Sequence, residues 1–477
     1  MDNDTVEKVI KELKNYAEKS FHTKKYEKSL TAIEVGANIL YRYNQIYKDD
    51  EFENLLVEIS NRLINKGEIK KKNEKIVVFY DGFGLDTRGL ALIFLKAIAE
   101  LNYKLIYITK KESIDSQPTI KKILSGYNVT YEYISDLNRI NKIKELNNVF
   151  LKYNPTDAFL YTTPSDVGAI TVFNAYKGKI TRYQIDLTDH AFWLGINAFD
   201  YCISLRDLGA TIEYNYRMIP KEKIIFLPYY AYIDKSISFQ GFPFDSKGKK
   251  VIFSGGSLYK TLGDNENKYY KIVEHILENH ADTIFLYAGE GDNSQIELLQ
   301  KKFNNRVFHI SERKDLYQVM LHSTLYLNTY PMFGGLMMHY AVSAHKIPIT
   351  LKHNHDADGL LFKQDQIKIE YEDVETLEKD VDKLLKDESY LKERENLLLN
   401  SEITEEQFKK ELNNLILYQK TNYLIKLDYV DTNDFRKEFL NRFKGIDDIS
   451  KSFGKKDLVL FKKFWRYFLV NLKNKLK

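Results

Sequence analysis

The sequence predicts an α/β protein built from two doubly wound domains, and three observations predict it. Short apolar runs of strand length alternate with helix-compatible segments through most of the chain, the pattern of a parallel sheet covered on both faces. Three of those runs, Ile76–Tyr80, Val251–Ser254 and Leu325–Leu327, each lead into a glycine-bearing loop and then a helix, the repeating unit of such folds. At 477 residues the chain is also too long for one ordinary core.

Composition narrows the class. A 44% hydrophobic and 14% aromatic content suits a folded chain and argues against disorder. A net charge of +4 is small for this length and excludes a general nucleic-acid binder. The lone cysteine, Cys202, allows neither an intramolecular disulfide nor a cysteine zinc cluster; its setting, DYCISL, predicts inert packing in a buried strand. The polar start MDNDTVEKVIKEL has no secretory leader pattern. No apolar run reaches the roughly 18–20 residues that a spanning helix needs. The expected location is therefore cytoplasmic.

Taken in order, residues 4–67 predict helices, with Val6, Ile10, Leu13 and Tyr16 at three- and four-residue spacing. Residues 1–70 form a helical module, and KKYEKSLTAIEVGANIL within it is similar to a tetratricopeptide helix pair. It is either a small cap or a partner-docking module. The charged run Lys70–Lys75 is a linker. A first doubly wound domain follows over 74–235. Its loop DGFGLDTRGL carries Gly82 and Gly84, with Asp86 or Thr87 to cap a helix from Arg88. Strands are expected at Lys104–Thr109, Val129–Tyr133, Ala158–Tyr161, Arg182–Ile185, Tyr201–Ser204 and Ile224–Leu227. The polar stretch Asp234–Lys250, with Gly241, Pro243 and Gly248, marks the junction. The second domain covers 248–405, with strands at Val251–Ser254, Thr283–Tyr287, Arg306–Ile310, Leu325–Leu327 and Lys346–Thr350, and helical segments Asp373–Leu399 and Thr404–Tyr418 to close it. Residues 406–477 complete the chain as C-terminal helices and a tail.

Residues 321–351, LHSTLYLNTYPMFGGLMMHYAVSAHKIPITL, hold the strongest site signal. Gly334 and Gly335 stand where a helix begins, on the carboxyl side of a strand. Free N–H groups there, including those of Leu336 and Met337, and the positive end of the helix dipole suit an anion, and paired glycines admit a close diphosphate. The order strand, proline loop, Gly-Gly, helix, strand resembles the last third of GT-B glycosyltransferases, including the O-linked N-acetylglucosamine transferase group. FSGGSLYK is similar to that group's run of phenylalanine, variable loop and Leu-Tyr-Lys, here Phe253, Leu258, Tyr259 and Lys260. The resemblance covers about residues 75–405 and implies two Rossmann-like domains facing a cleft, with helical additions at both ends.

The resemblance also implies the chemistry: sugar transfer from a nucleotide-sugar, a UDP-sugar by resemblance alone, with no metal and no other cofactor. Lys260 would then neutralise the departing diphosphate beside Gly255, Gly256 and Ser257. Base and ribose contacts would come from Glu290, His309 and Glu312, each as readily a turn or capping residue. The acid that holds the ribose in many such enzymes falls near Tyr340, which is no carboxylate, so ribose recognition differs here. In the first domain, Gly82, Gly84 and Arg88 would face donor or acceptor, Arg88 being as readily a surface residue.

One further stretch, DLTDHAFWLGINAFDY, sets Asp186, Asp189 and His190 beside Phe192 and Trp193. An imidazole titrating near neutral pH can take a proton from a hydroxyl, with Asp189 or Asp186 to orient it and Trp193 to face a sugar ring. A helix cap with His190 packed beneath is the alternative. A histidine base fits an inverting route; a retaining route needs none. The expected acceptor is a cell-surface polysaccharide or lipid-linked saccharide; a protein acceptor, or an inactive partner subunit, is the alternative. The tail DLVLFKKFWRYFLVNLKNKLK, residues 457–477, puts Phe461, Trp465, Phe468, Leu472 and Leu476 on one helical face and basic residues on another. That pattern suits an anionic membrane surface, peripheral at its inner face, or packing on the protein itself.

Overall fold

The computed structural model describes residues 3–65, 74–86, 89–135, 138–311, 313–353 and 357–433, with positions 436, 437, 440, 460, 464 and 465 beyond them. The chain divides into two units. Unit 1 comprises Met1–Leu227, Glu406–Tyr429 and Phe443–Lys477; unit 2 comprises Pro228–Glu405 and Val430–Arg442.

Unit 1 opens with α1 (Asn3–His22), α2 (Tyr26–Tyr43) and α3 (Asp50–Leu63). Then come β1 (Ile76–Asp81), α4 (Gly89–Glu100), β2 (Lys104–Lys110), α5 (Pro118–Ile123), β3 (Val129–Ile134), α6 (Arg139–Tyr153), β4 (Asp157–Tyr161) and α7 (Val167–Ala175). β5 (Thr181–Ile185), β6 (Tyr201–Ser204), α8 (Asp207–Asn215) and β7 (Ile224–Phe226) complete the run. The sheet order is β3-β2-β1-β4-β5-β6-β7, with parallel pairing throughout. All six residues of β1, IVVFYD, are buried, as the middle of a sheet covered on both faces requires.

Two helices of unit 1 are apolar over most of their surface, which demands cover on more than the sheet side. α7 (VGAITVFNA) is buried along its whole length, and α3 and α6 pack against it. The N-terminal helices thus form an added layer of unit 1, whereas the sequence had suggested a module set off by a linker. α4 (GLALIFLKAIAE) is equally apolar, and its cover arrives from far along the chain. α16 (Glu405–Tyr418) sets Phe408 edge-on to Phe94, with ring centroids 5.1 Å apart. Tyr183 Oη donates to the Leu415 carbonyl at 3.1 Å and Tyr103 Oη to Asn413 Oδ1 at 2.6 Å. That segment was expected to close the second domain; instead the bare face of α4 draws it into unit 1.

Unit 2 runs β8 (Lys250–Gly255), α9 (Lys268–Asn279), β9 (Thr283–Ala288), α10 (Ser294–Lys302), β10 (Val307–Ile310), α11 (Leu316–Leu321), β11 (Leu325–Leu327), α12 (Gly335–Ser343) and β12 (Pro348–Leu351). α13 (Gln364–Ile367), β13 (Glu370–Tyr371), α14 (Val374–Lys386) and α15 (Glu388–Asn396) close it. Its parallel sheet has the order β10-β9-β8-β11-β12-β13. The run expected as one helical segment over Asp373–Leu399 is two helices. Asp387 holds extended backbone, and its carboxylate accepts from Tyr390 N, ending one helix and capping the next.

In each unit the strand order reverses beside the first strand: between β1 and β4, and between β8 and β11. Such a reversal opens a crevice at the carboxyl ends of the two strands, and it decides which loops meet.

Candidate active site

In unit 2 the loops after β8 and β11 flank the reversal and touch. Met332 N donates to the Lys260 carbonyl at 3.1 Å, and Lys260 Nζ reaches the Phe333 carbonyl at 3.4 Å. Tyr326 Oη lies 3.4 Å from the Gly255 carbonyl oxygen. A Cβ added to Gly255 would lie 3.0 Å from Met337 Cε. The two glycine turns and Lys260 therefore share one place.

Asn328, fully buried, shapes the turn before α12. Its Oδ1 accepts from Tyr326 Oη (3.2 Å), Thr329 N (2.8 Å) and Gly334 N (3.1 Å). α12 begins without a side-chain cap, and its first residues, Gly335, Leu336 and Met337, are half-buried. The first-turn N–H groups of a helix have no acceptor within it, so this end presents donors and a positive dipole at the place Lys260 reaches. Ser257 is exposed just ahead of the short helical turn Leu258–Thr261 that carries Lys260.

A second pair of glycines closes the cradle's floor. Gly256 N donates to the Ala288 carbonyl at 2.9 Å, and Leu258 N to the Glu290 carbonyl at 2.8 Å. A Cβ on Gly289 would stand 1.9 Å from the Gly256 carbonyl oxygen, so only glycine lets these loops meet. Gly256 itself has φ +128°, open to glycine alone. Gly289→Ala is therefore expected to part the two loops and destabilise the protein by roughly 2 kcal/mol or more. A thermal melt matching the unsubstituted protein would contradict this.

The other expected donor residues are placed as follows. His309 Nε2 donates to the Gly289 carbonyl at 2.8 Å, bracing the β9 loop. The Glu290 side chain is exposed, and its backbone carbonyl does the bracing. Glu312 lies outside the described residues. Tyr340 Oη donates to the Tyr232 carbonyl at 2.9 Å, which ties α12 to the segment after residue 228. Next to it His339, fully buried, holds Glu402 through Nδ1 at 3.1 Å and packs on Tyr229.

In unit 1 the loop after β5 carries Asp189 and His190 as a pair, His190 Nδ1 lying 3.3 Å from Asp189 Oδ1. Arg206, just after β6, grips the same carboxylate with Nε to Oδ2 at 2.6 Å and Nη2 to Oδ1 at 2.9 Å. Burial alone would raise the Asp189 carboxyl; Arg206 and His190 outweigh it and hold it far below the usual carboxylate range. Asp189 is thus a fixed anion against the imidazole, the arrangement that orients a general base and stabilises its protonated form. No helix starts at this loop, so the alternative of a helix cap is set aside.

Asp186 does not share that role. It is buried beside Glu213 and Arg217. Burial pushes its carboxyl up to about 6, Arg217 opposing and Asp189 adding. Glu213 is likewise pushed well above the usual carboxylate range, by burial and then by the Asp186 charge. Trp193 is only 3% exposed, with the Arg217 guanidinium 4.3 Å from its ring centre. The indole was expected to meet a sugar; its face is taken by a cation instead. Cys202 is buried as expected, its thiol pushed up by burial.

Among the described residues, Asp186, Cys202 and Glu213 form the group that brings three possible ligand atoms within 4.8 Å. The Arg217 charge acts on both of its carboxyls. Gly82 N donates to the Tyr161 carbonyl at 2.8 Å, and Gly84 N to Asp81 Oδ1 at 3.0 Å, so this loop is braced at the β1–β4 reversal. Arg88 and Thr87 lie outside the described residues. Asp86 caps α5, accepting from Thr119 N and Ile120 N at 3.0 Å each. Of the basic tail, Leu460, Phe464 and Trp465 alone are described: Phe464 is buried and Trp465 exposed. Among the described residues no helix is long and apolar enough to cross a membrane.

A scan against protein-family models and a search of curated proteins found no match. Solved structures do resemble the chain. An O-GlcNAc transferase mutant from Thermobaculum terrenum matches with TM-score 0.55 at 12% identity, over 89% of this chain and 82% of that one. A glycosyltransferase from Rickettsia africae matches with TM-score 0.52 at 12% identity, over 73% of this chain and 100% of that one.

The fold is GT-B. A third GT-B likeness is the HepE protein of Anabaena in complex with UDP and glucose, with TM-score 0.51 at 12% identity, over 72% of this chain and 99% of that one. The expected GT-B architecture, two parallel-sheet α/β domains, is thus met. Arg206 and Arg217 were missed in the sequence. A basic residue two positions past a predicted strand end was the available signal for Arg206.

Proposed function

We propose that this chain is a metal-independent glycosyltransferase using a UDP-sugar. The observation that carries the reading is the meeting of Lys260 with the uncapped start of α12 at the β8–β11 reversal. A cation and free N–H groups at one point suit a leaving diphosphate, and preorganised donors of this kind supply much of the catalysis of charge-developing reactions. On unit 1, His190 takes the proton from an acceptor hydroxyl. The acceptor oxygen bonds to the anomeric carbon as the bond from that carbon to the diphosphate breaks, and UDP departs with its charge met by Lys260 and the helix end. Asp189, held by Arg206, orients His190 and stabilises its cation.

A UDP-sugar is favoured because a likeness of this fold is described in complex with UDP and glucose. The acceptor we favour is a surface polysaccharide or lipid-linked saccharide, with a protein acceptor as the alternative. A non-catalytic partner role gains from Tyr340, whose hydroxyl is engaged by Tyr232 and offers the ribose no carboxylate. The purified chain, screened against UDP- and GDP-sugars for release of free nucleotide, should turn over at least one UDP-sugar. If no sugar nucleotide is hydrolysed or transferred and none raises the melting temperature, the enzyme reading fails.

A further inference from the structure

The loop that carries His190 is held from behind by the corner between α2 and α3. Asn44 ends α2 in the left-handed region, φ 41° and ψ 45°, and is fully buried. Its Nδ2 donates to the His190 backbone carbonyl at 3.0 Å. Two residues past the end of α8, Arg217 spans both sides. Its Nη1 donates to the Tyr47 carbonyl at 2.5 Å, and its Nη2 to the carbonyls of Asp189 at 3.1 Å and Ala191 at 2.6 Å. Glu53, on α3, accepts from Gly195 N at 2.7 Å. The corner is itself fixed: Asp49 caps α3 through Phe52 N at 3.1 Å and pairs with Lys14 of α1 at 2.6 Å.

Ordinary helix packing would need only apolar contact here. Instead, buried polar side chains meet backbone groups of one loop on both sides of His190. Each would cost free energy if its partner moved away, because a buried polar group would be left unpaired. We propose that the α2–α3 corner is a positioning element for His190, acting through Asn44, Glu53 and the Arg217 bridge to Tyr47. The N-terminal helices thus set the attitude of the base. The inference rests on the reading of His190 as that base. Displacements of about 1 Å at a reacting group can cost on the order of 100-fold in rate.

The test is a double-mutant cycle on transfer from the UDP-sugar found in the screen. Asn44→Gly removes the donor while keeping the left-handed backbone open. It should lower kcat about tenfold or more and leave the donor KM unchanged, since the donor is held by unit 2. In a His190→Ala background the same substitution should cost nothing further, because it acts through the missing group. Glu53→Ala should behave like Asn44→Gly, whereas Glu53→Gln, which keeps the acceptor oxygen, should restore the rate. Circular dichroism and melting curves report whether each variant folds, and Glu53→Ala serves if Asn44→Gly does not. Unchanged kcat in both Asn44→Gly and Glu53→Ala overturns the inference, as does an equal loss with and without His190. A His190→Ala protein of full activity overturns the base reading, a result distinct from either.

Discussion

Lys260→Ala is expected to lower kcat for sugar transfer by roughly 100- to 1,000-fold, the range seen when one preorganised group facing a developing negative charge is removed. The melting temperature should hardly move. Lys260 is half-buried on a short helical turn, and its Nζ contact with the Phe333 carbonyl is a long 3.4 Å. Loss of such a contact is worth little to stability, whereas loss of the charge removes the side-chain cation that reaches the turn before α12. Lys260→Arg should recover part of the rate, since the charge returns with a different reach. A folded Lys260→Ala protein with full activity would take the residue out of the site.

His190→Ala is expected to reduce kcat by about 100- to 10,000-fold, the usual contribution of a positioned general base. The substitution should also flatten the acidic limb of the pH–rate profile, because rate rises with pH only while the base is losing its proton. Asp189→Asn provides the control. It leaves the loop's outline but removes the anion gripped by Arg206 at 2.6 Å, so the protonated imidazole formed during transfer loses its stabilising charge. A loss intermediate between wild type and His190→Ala is expected. If both variants keep the wild-type rate and pH profile, transfer proceeds without this base, as a retaining route would allow.

Much of the fold was legible because strands buried on both faces must be continuous apolar runs, and β1, β8 and β11 are such runs. The glycine turns were legible for a similar local reason. What joins them is not local. Lys260 and Gly334 meet because β11 pairs with β8, and strand order leaves no mark on periodicity. The resemblance to a known order of elements supplied that step. Trp193 shows the opposite failure. An aromatic beside a histidine suggests a sugar platform, but Arg217, 24 positions later, lies over its ring at 4.3 Å. Asn44 had a sufficient local explanation as a left-handed helix stop, which concealed its bond to His190. The α16 crossing into unit 1 had a signal that was passed over: α4 is apolar but for Lys96 and Glu100, and one sheet cannot cover so wide an apolar surface.

The most direct test of the diphosphate cradle is calorimetric titration of the intact chain with UDP and, separately, with uridine. The two ligands differ only in the diphosphate. UDP should bind at least tenfold more tightly than uridine, with the difference shrinking as salt rises, because a cation and a helix dipole supply it. Equal affinities, or no binding of UDP at any accessible concentration, would show that the paired glycine turns do not hold a pyrophosphate.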